Sequence, residues 1–427
     1  MPRILIHTLG SSGDFNPLIV LAYELRARGH SVKFAVNPAS AAWISKLGFE
    51  VAAIGPDPDW NSEFSRRLLV ADSYKPFQML MEELFIPNIG VAYDAILPHC
   101  RDADVFVSHT LQMASPAIAY KSGVPWVSVI PATSCYPTAE YPIPCFAWHA
   151  FPEFLTKIAW DIGLRQFRMI DELANEQYRA LGVPPRKDMI AGGSYSRQLT
   201  IGLWSPAYFP RPTDWPAWFQ VGGYGRWDAP DPRGDVPPDI PKGKTPLVIF
   251  TLGSAIVNQP GEFYDVALEA LRGTNWRAVL LGAPADLKLP DDLKHRVSAV
   301  KYARYSDIFP LANAIVHQGG VGTTQACCYY GIPSVVVPRC FDQFENAAHI
   351  QRSGWGLRLL PKDLSPALLR RRLKRVLLSA EVKQDVGILG SKMQKEPGIN
   401  PACDLIEGIL NRDSNAGQVP EPAITVV

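Results

Sequence analysis

The densest set of groups able to do chemistry lies in residues 316–349, VHQGGVGTTQACCYYGIPSVVVPRCFDQFENAAH. An apolar run closes at His317. Gly319, Gly320 and Gly322 then leave the backbone bare, and Thr323 and Thr324 open a helical stretch. Exposed backbone N–H groups, hydroxyls and the positive end of a helix dipole form a cradle for a diphosphate. His317 can add a hydrogen-bond donor to that cradle without a metal. The next apolar run ends at Pro338 and brings Asp342 and Gln343 to the same crevice. A carboxylate beside an amide suits the vicinal hydroxyls of a sugar. Singly, each residue reads as a turn glycine or a surface acid; their order and spacing together point to a ligand.

A second candidate lies at the start of the chain, in LGSSGDFNP (residues 9–17). Ser11, Ser12 and Gly13 can turn backbone N–H groups toward a crevice, and Asp14 stands at the start of the following helix. Asp14 fits two roles, a cap on that helix and a general base. His109, closing the run VFVSHT, is a rival base or an orienting group, and also fits a purely structural strand end. A nicotinamide dinucleotide is disfavoured, because GxGxxG is absent and the second strand runs into Val36-Asn37-Pro38 without an acidic residue. Seven aromatics crowd residues 135–160 (Tyr136, Tyr141, Phe146, Trp148, Phe151, Phe154, Trp160), enough for an apolar pocket, although core packing also accounts for many of them.

These groups need a scaffold, and the apolar runs supply one. Arg3–Leu9, Ser31–Val36, Val51–Ile54, Val105–His109 and Trp126–Ile130 read as buried parallel strands, with a helix over Leu18, Leu21, Ala22 and Leu25. The alternation restarts with Leu247–Thr251, a helix near Phe263–Leu271, then Arg277–Leu281, Ala314–His317 and Ser334–Pro338. The expected fold is α/β, with two Rossmann-like doubly wound domains facing a central cleft. The expected bounds are an N-terminal domain at 1–228, a proline-rich linker at 229–244 and a C-terminal domain at 245–400. A last helix at 401–413 is expected to cross back to the N-domain, followed by a tail at 414–427. Ten prolines between 206 and 246 mark the connecting span as irregular linker. The basic stretch 368–375, LLRRRLKR, reads as a solvated helix face.

Composition narrows the partners. In 427 residues the net charge is +1, with 47% hydrophobic and 19% charged residues, so a globular chain without nucleic acid as main partner is expected. Seven cysteines without a CxxC spacing, no signal-peptide pattern and no long apolar run fit a reduced cytoplasm and no membrane-spanning segment. The chain could be a monomer or a homodimer.

His317-Gln-Gly-Gly-Val-Gly-Thr-Thr, followed by Pro338-x-x-x-Asp342-Gln343-x-x-Asn346, resembles the donor signature of the UDP-glycosyltransferase superfamily, of GT-B fold. The likeness is strongest to its bacterial branch of macrolide, glycopeptide, sterol and rhamnolipid-type transferases. GSSGDFNP is similar to that branch's opening motif. The resemblance implies that His317, Gly319, Gly320, Gly322 and Thr323 grip the diphosphate, with Ser254 reaching it from the turn LGSA. It implies that Asp342 and Gln343 hold the transferred sugar. Gln325, where many relatives use Glu, would meet the ribose diol. Tyr302 and Arg304, where Trp and Pro are usual, would meet the base. It implies that Asp14 is the general base; composition alone suggests the acceptor side, where Ser12, Phe15, Tyr136, Trp148 and Phe151 are expected to line the pocket. The activity so implied is a metal-independent inverting hexosyltransferase. It would use a UDP-sugar or TDP-sugar as co-substrate, with no cofactor, and a hydrophobic hydroxyl-bearing acceptor. Other classes remain open: an inactive auxiliary protein of this fold, a nucleotide-sugar epimerase, or a dinucleotide oxidoreductase.

Overall fold

A computed structural model of the chain describes residues 1–55, 57, 63, 64, 67, 75–141, 152–226, 240–256 and 259–413. Two sheets carry it, both wholly parallel. The first holds β1 (Arg3–His7), β2 (Ser31–Val36), β3 (Glu50–Ala53), β4 (Val105–His109), β5 (Trp126–Ile130), β6 (Leu199–Gly202) and β7 (Phe219–Val221). Their order is β3-β2-β1-β4-β5-β6-β7. The second holds β8 (Leu247–Thr251), β9 (Arg277–Leu281), β10 (Val297–Val300), β11 (Ala314–His317), β12 (Ser334–Val336) and β13 (Gly356–Arg358), in the order β10-β9-β8-β11-β12-β13.

Both orders reverse beside their first strand, between β1 and β4 and between β8 and β11. Loops leaving the carboxyl ends of such strands part in opposite directions and open a crevice. The sequence candidates sit at these two points. Asp14 follows β1 and His109 ends β4; Ser254 follows β8 and His317 ends β11. The registers match, with His7 beside Ser108 in one sheet and Thr251 beside His317 in the other. Val105–His109 and Leu247–Thr251 are buried along their whole length, as strands covered on both faces require.

The helix Ser12–Ala27 buries Phe15, Leu18, Ile19, Leu21, Ala22 and Leu25 against the first sheet. Across it runs the last helix, Asn400–Asp413, whose Ala402, Cys403 and Ile406 share that core although they follow the whole second sheet. Arg28 holds Glu24 and Glu407, and His30 lies 2.8 Å from Glu407, so the return is pinned by charge as well as by packing.

The proline-rich span departs from its reading as irregular linker. Its first part is packed: Tyr208, Phe209, Trp215 and Phe219 are buried with Trp204, and Phe219 opens β7. This strap lies on Cys328, Val336, Ala347, Ile350, Leu389 and Met393 of the second half. Its prolines therefore interrupt helix without preventing burial, because Arg211 donates to the carbonyls of Pro212, Trp215, Pro216 and Phe219 that secondary structure would otherwise satisfy. Most of the expected linker, and the tail at 414–427, lie outside the described residues. β6, β7, β10 and β13, three or four residues each, are additions to the strands expected from sequence. The basic stretch forms part of the helix Pro366–Leu378, which buries Leu369, Leu373, Val376 and Leu377.

Candidate active site

On the first sheet, the turn after β1 is built around Asp14. Ser11 caps the helix by accepting from the Gly13 N–H at 3.2 Å, and Asp14 Oδ2 accepts from the Ser11 N–H at 2.7 Å and the Ser11 hydroxyl at 3.1 Å. This is a capping box with Asp at its third helical position. Gly10 is required there: its φ is +129°, and a Cβ would collide with the Asp14 carboxylate. The cap occupies one carboxylate oxygen and leaves Oδ1 facing His109, whose Nε2 lies 3.3 Å away. His109 Nδ1 accepts from the Leu111 N–H at 3.1 Å, so the neutral ring carries its proton on Nε2, toward Asp14. The two groups read as rivals in the sequence form one pair.

The second switch point repeats the device. His317 is fully buried, and its Nδ1 accepts from the Gly319 N–H at 3.0 Å, again leaving the proton on Nε2. That buried Nε2 has no hydrogen-bond partner among the described residues. Burial pushes the His317 pKa down to about 3, so the ring is a neutral donor throughout the physiological range. Gly319 has a φ of +91°, and a Cβ on it would stand 2.7 Å from Val336 Cγ1. Beyond it the helix Val321–Tyr329 begins, with Gly320 at its cap and Thr324 Oγ1 donating back to the Gly320 carbonyl at 2.9 Å. Thr323 Oγ1 meets the Tyr305 hydroxyl at 3.0 Å, and Tyr305 stacks on Phe309 at 4.1 Å. The bare turn, the neutral donor and the helix N-terminus thus converge on one anion-binding geometry.

Asp342 stands at the N-terminal end of the helix Gln343–Arg352 in the same crevice, its side chain making no cap bond. Burial, then Glu345, then Asp14 push its pKa up from 3.8 to about 7, while Asn346 pulls the other way. Asp14, which follows the first sheet's β1, thus acts on Asp342 through space. Thr133 Oγ1, from the first half, also reaches Glu345 Oε2 at 3.3 Å. Asn346 is the junction: it donates to the Gly319 carbonyl at 2.8 Å and to Asp342 Oδ2 at 2.9 Å, and accepts from the Tyr208 hydroxyl at 2.9 Å. Phe341, just before Asp342, holds a φ of +52°, strained for a bulky residue, and packs against core residues of both halves.

The raised Asp342 pKa has a thermodynamic sign. Between about 4 and 7 the folded chain keeps a proton that the unfolded chain releases, so stability falls as pH rises through that window. Asp342→Asn keeps the bond from Asn346 and removes the charge. It should melt a few degrees higher than the parent above pH 7 and match it near pH 4. Equal melting differences at both pH values would contradict this placement of Asp342.

Other expected site residues fall in different places. Phe15 is 4% exposed, in the core with its ring edge-on to Trp43. Gln325 is buried, with its carbonyl accepting from the Ser205 N–H at 2.8 Å. Gln343 Oε1 accepts from the Arg339 and Cys340 N–H groups, shaping the loop that carries Asp342. Tyr136 packs among Tyr195, Trp215, Trp218 and Phe219. Ser12 is half-buried at the helix start, Ser254 is exposed, and Tyr302 is half-buried. Arg304 pairs with Asp307 at 2.9 Å. Trp148 and Phe151 lie outside the described residues. Two further residues reach the motif with no signal in their type or spacing: Tyr305, which opens the helix Tyr305–Ile308, and Tyr208, from the first half. Asn346 stands within the motif, but its residue type alone does not announce its role as junction.

Among the described residues no group of three His, Cys, Asp or Glu could hold a metal ion, and no helix is long and apolar enough to cross a membrane. Comparison with known proteins agrees with the geometry. A family model described as erythromycin biosynthesis protein CIII-like, C-terminal domain, matches residues 283–403. O-mycaminosyltylonolide 6-deoxyallosyltransferase of Streptomyces fradiae is 30% identical over 95% of this chain and 97% of its own. Sterol 3-beta-glucosyltransferase of Pichia angusta is 25% identical over 95% of this chain, which spans only 33% of that relative's length. Among solved structures, the calicheamicin glycosyltransferase CalG4 superposes with a TM-score of 0.74 at 19% identity, covering 96% of this chain and 99% of its own. The glycosyltransferase VinC, in complex with dTDP, has a TM-score of 0.68 at 19% identity, covering 96% and 100%.

Proposed function

Because the chain belongs to the UDP-glycosyltransferase superfamily, we propose that it moves a sugar from a nucleotide-diphosphate donor to a hydroxyl of a hydrophobic small molecule, inverting the anomeric centre. The observation that carries this reading is the pairing of Asp14 with His109 on one wall of a cleft whose other wall holds His317 and Asp342.

In this mechanism the acceptor oxygen attacks the anomeric carbon as the bond from that carbon to the diphosphate breaks. The electron pair leaves with the nucleoside diphosphate, and the acceptor's proton passes to the Asp14 carboxylate. His109 is the orienting group rather than the base, since its one unbonded ring nitrogen already carries a proton. On the donor side the His317 Nε2–H, the first N–H groups of the helix Val321–Tyr329 and the Thr323 hydroxyl meet the charge that grows on the diphosphate. Asp342 accepts from the sugar hydroxyls. Tyr302 and Arg304 flank the base, and Ser254 reaches the diphosphate.

A panel of nucleotides in thermal melting tests the donor class. Uridine diphosphate and thymidine diphosphate should both stabilise the chain, uridine more, with about 2.7 kcal/mol gained at 100 times the dissociation constant. NAD should leave the melting temperature unchanged. Stabilisation by NAD and by neither diphosphate would exchange this reading for that of a dinucleotide enzyme.

A further inference from the structure

We infer that the outer face of the helix Glu153–Arg165 is a docking surface for a second copy of this chain, paired antiparallel about a two-fold axis. Thr156 and Trp160 turn inward, and the Trp160 indole donates to the Tyr141 carbonyl at 3.1 Å, which fixes the helix's rotation. The opposite face is apolar where a solvated helix would be polar. Phe154 is 62% exposed, Ile158 49% and Ile162 55%, with Leu155 at its edge. Residues at i, i+4 and i+8 form one stripe. These side chains leave on the order of 400 Å² of apolar surface in one patch, the size at which a surface begins to mark an interaction site. Doubled across an axis and joined by its flanks, the patch approaches about 1,000 Å², enough for a specific interface.

Charge selects the occupant. Exposed Glu153, Lys157, Asp161 and Arg165 run beside the stripe in the order acid, base, acid, base. In an antiparallel pair centred at the height of Ala159, Phe154 packs beside Ile162 of the partner subunit, and Ile158 packs beside its own equivalent. Lys157 then lies beside Asp161 of the partner subunit, in both halves at once. A parallel pair would set like charges together. The row is therefore self-complementary in one direction only, as an isologous interface requires. A bilayer surface would be served by a basic flank, and the row carries as many acids as bases.

Sedimentation of the full chain at micromolar concentration reads the result. The parent should be a dimer, and Ile158→Glu, which sets two carboxylates beside each other next to the axis, a monomer. Lys157→Glu and Asp161→Lys should each weaken dimerisation about tenfold or more, and the double exchange should restore it. Circular dichroism and nucleotide binding, unchanged in each variant, separate lost contact from lost fold. A monomeric parent, a dimer indifferent to Ile158→Glu, a double exchange without recovery, or binding of anionic vesicles in place of self-association would each overturn the inference.

Discussion

Asp14→Asn is expected to slow sugar transfer by about 10²–10⁴ while leaving nucleotide binding and the melting temperature close to those of the parent. The argument turns on the two carboxylate oxygens. Oδ2 serves the helix cap, and an amide oxygen accepts from Ser11 almost as well. Oδ1 faces His109 and the cleft, and an amide there cannot take a proton. A residue that only caps would lose little in this exchange, so the kinetic loss isolates the base. The loss should be larger for aliphatic alcohols than for phenols, which surrender a proton more readily. His109→Ala should lower turnover less, because the carboxylate survives and loses only its orienting partner. Full turnover in Asp14→Asn would overturn the role of Asp14; a collapse in His109→Ala alone would exchange the two roles.

His317→Asn carries the second large effect, a loss of about 10²–10³ in transfer at saturating donor, the usual consequence of removing one preorganised donor from a developing charge. Asn is preferred to Ala because its side-chain oxygen can still accept the Gly319 N–H, which would otherwise be left buried and unpaired at about 1–3 kcal/mol. The pH profile adds a sharper test. A histidine titrating at about 3 stays neutral at every working pH. The deficit of the variant should therefore be constant from pH 5 to pH 9. A deficit that disappears as pH rises past the ordinary histidine range near 6.5 would mean a cationic clamp instead, and would contradict the buried neutral donor.

The two halves of the site were unequally legible in sequence. The donor turn could be read because its glycines, His317, Thr323 and Asp342 are close in the chain, and a strand, a bare turn and a helix start dictate their geometry locally. The partners that hold it could not. Tyr208 stands far upstream of Asn346, and nothing in either residue type announces their bond. Gln325 occupies a position that resemblance assigns to the ribose, but which neighbour meets a buried amide is decided by tertiary packing. Phe15 is different, because the signal was present. It falls in helical phase with Leu18, Ala22 and Leu25, and that periodicity already placed it on the buried face. For His109 and Asp14, topology supplied what spacing could not: adjacency of β1 and β4 made two candidates into one pair.

The strap between β6 and β7, and the stretch that follows it, bear on how this chain could be recombined. Ser205 bonds Gln325 and Glu396, Tyr208 bonds Asn346, and the Tyr208 carbonyl meets His349. The donor half is thus stitched to a segment written in the first half, while the helix Asn400–Asp413 is buried in the first half although written after the second. A hybrid joined in the proline-rich stretch would sever both sets of bonds and leave Gln325, Asn346 and Glu396 facing a foreign surface. The exchangeable donor cassette is therefore one internal stretch, and the acceptor half is the discontinuous one. Its upstream seam falls before Leu203, and its downstream seam falls between Glu396 and Asn400, with the final helix retained from the acceptor parent.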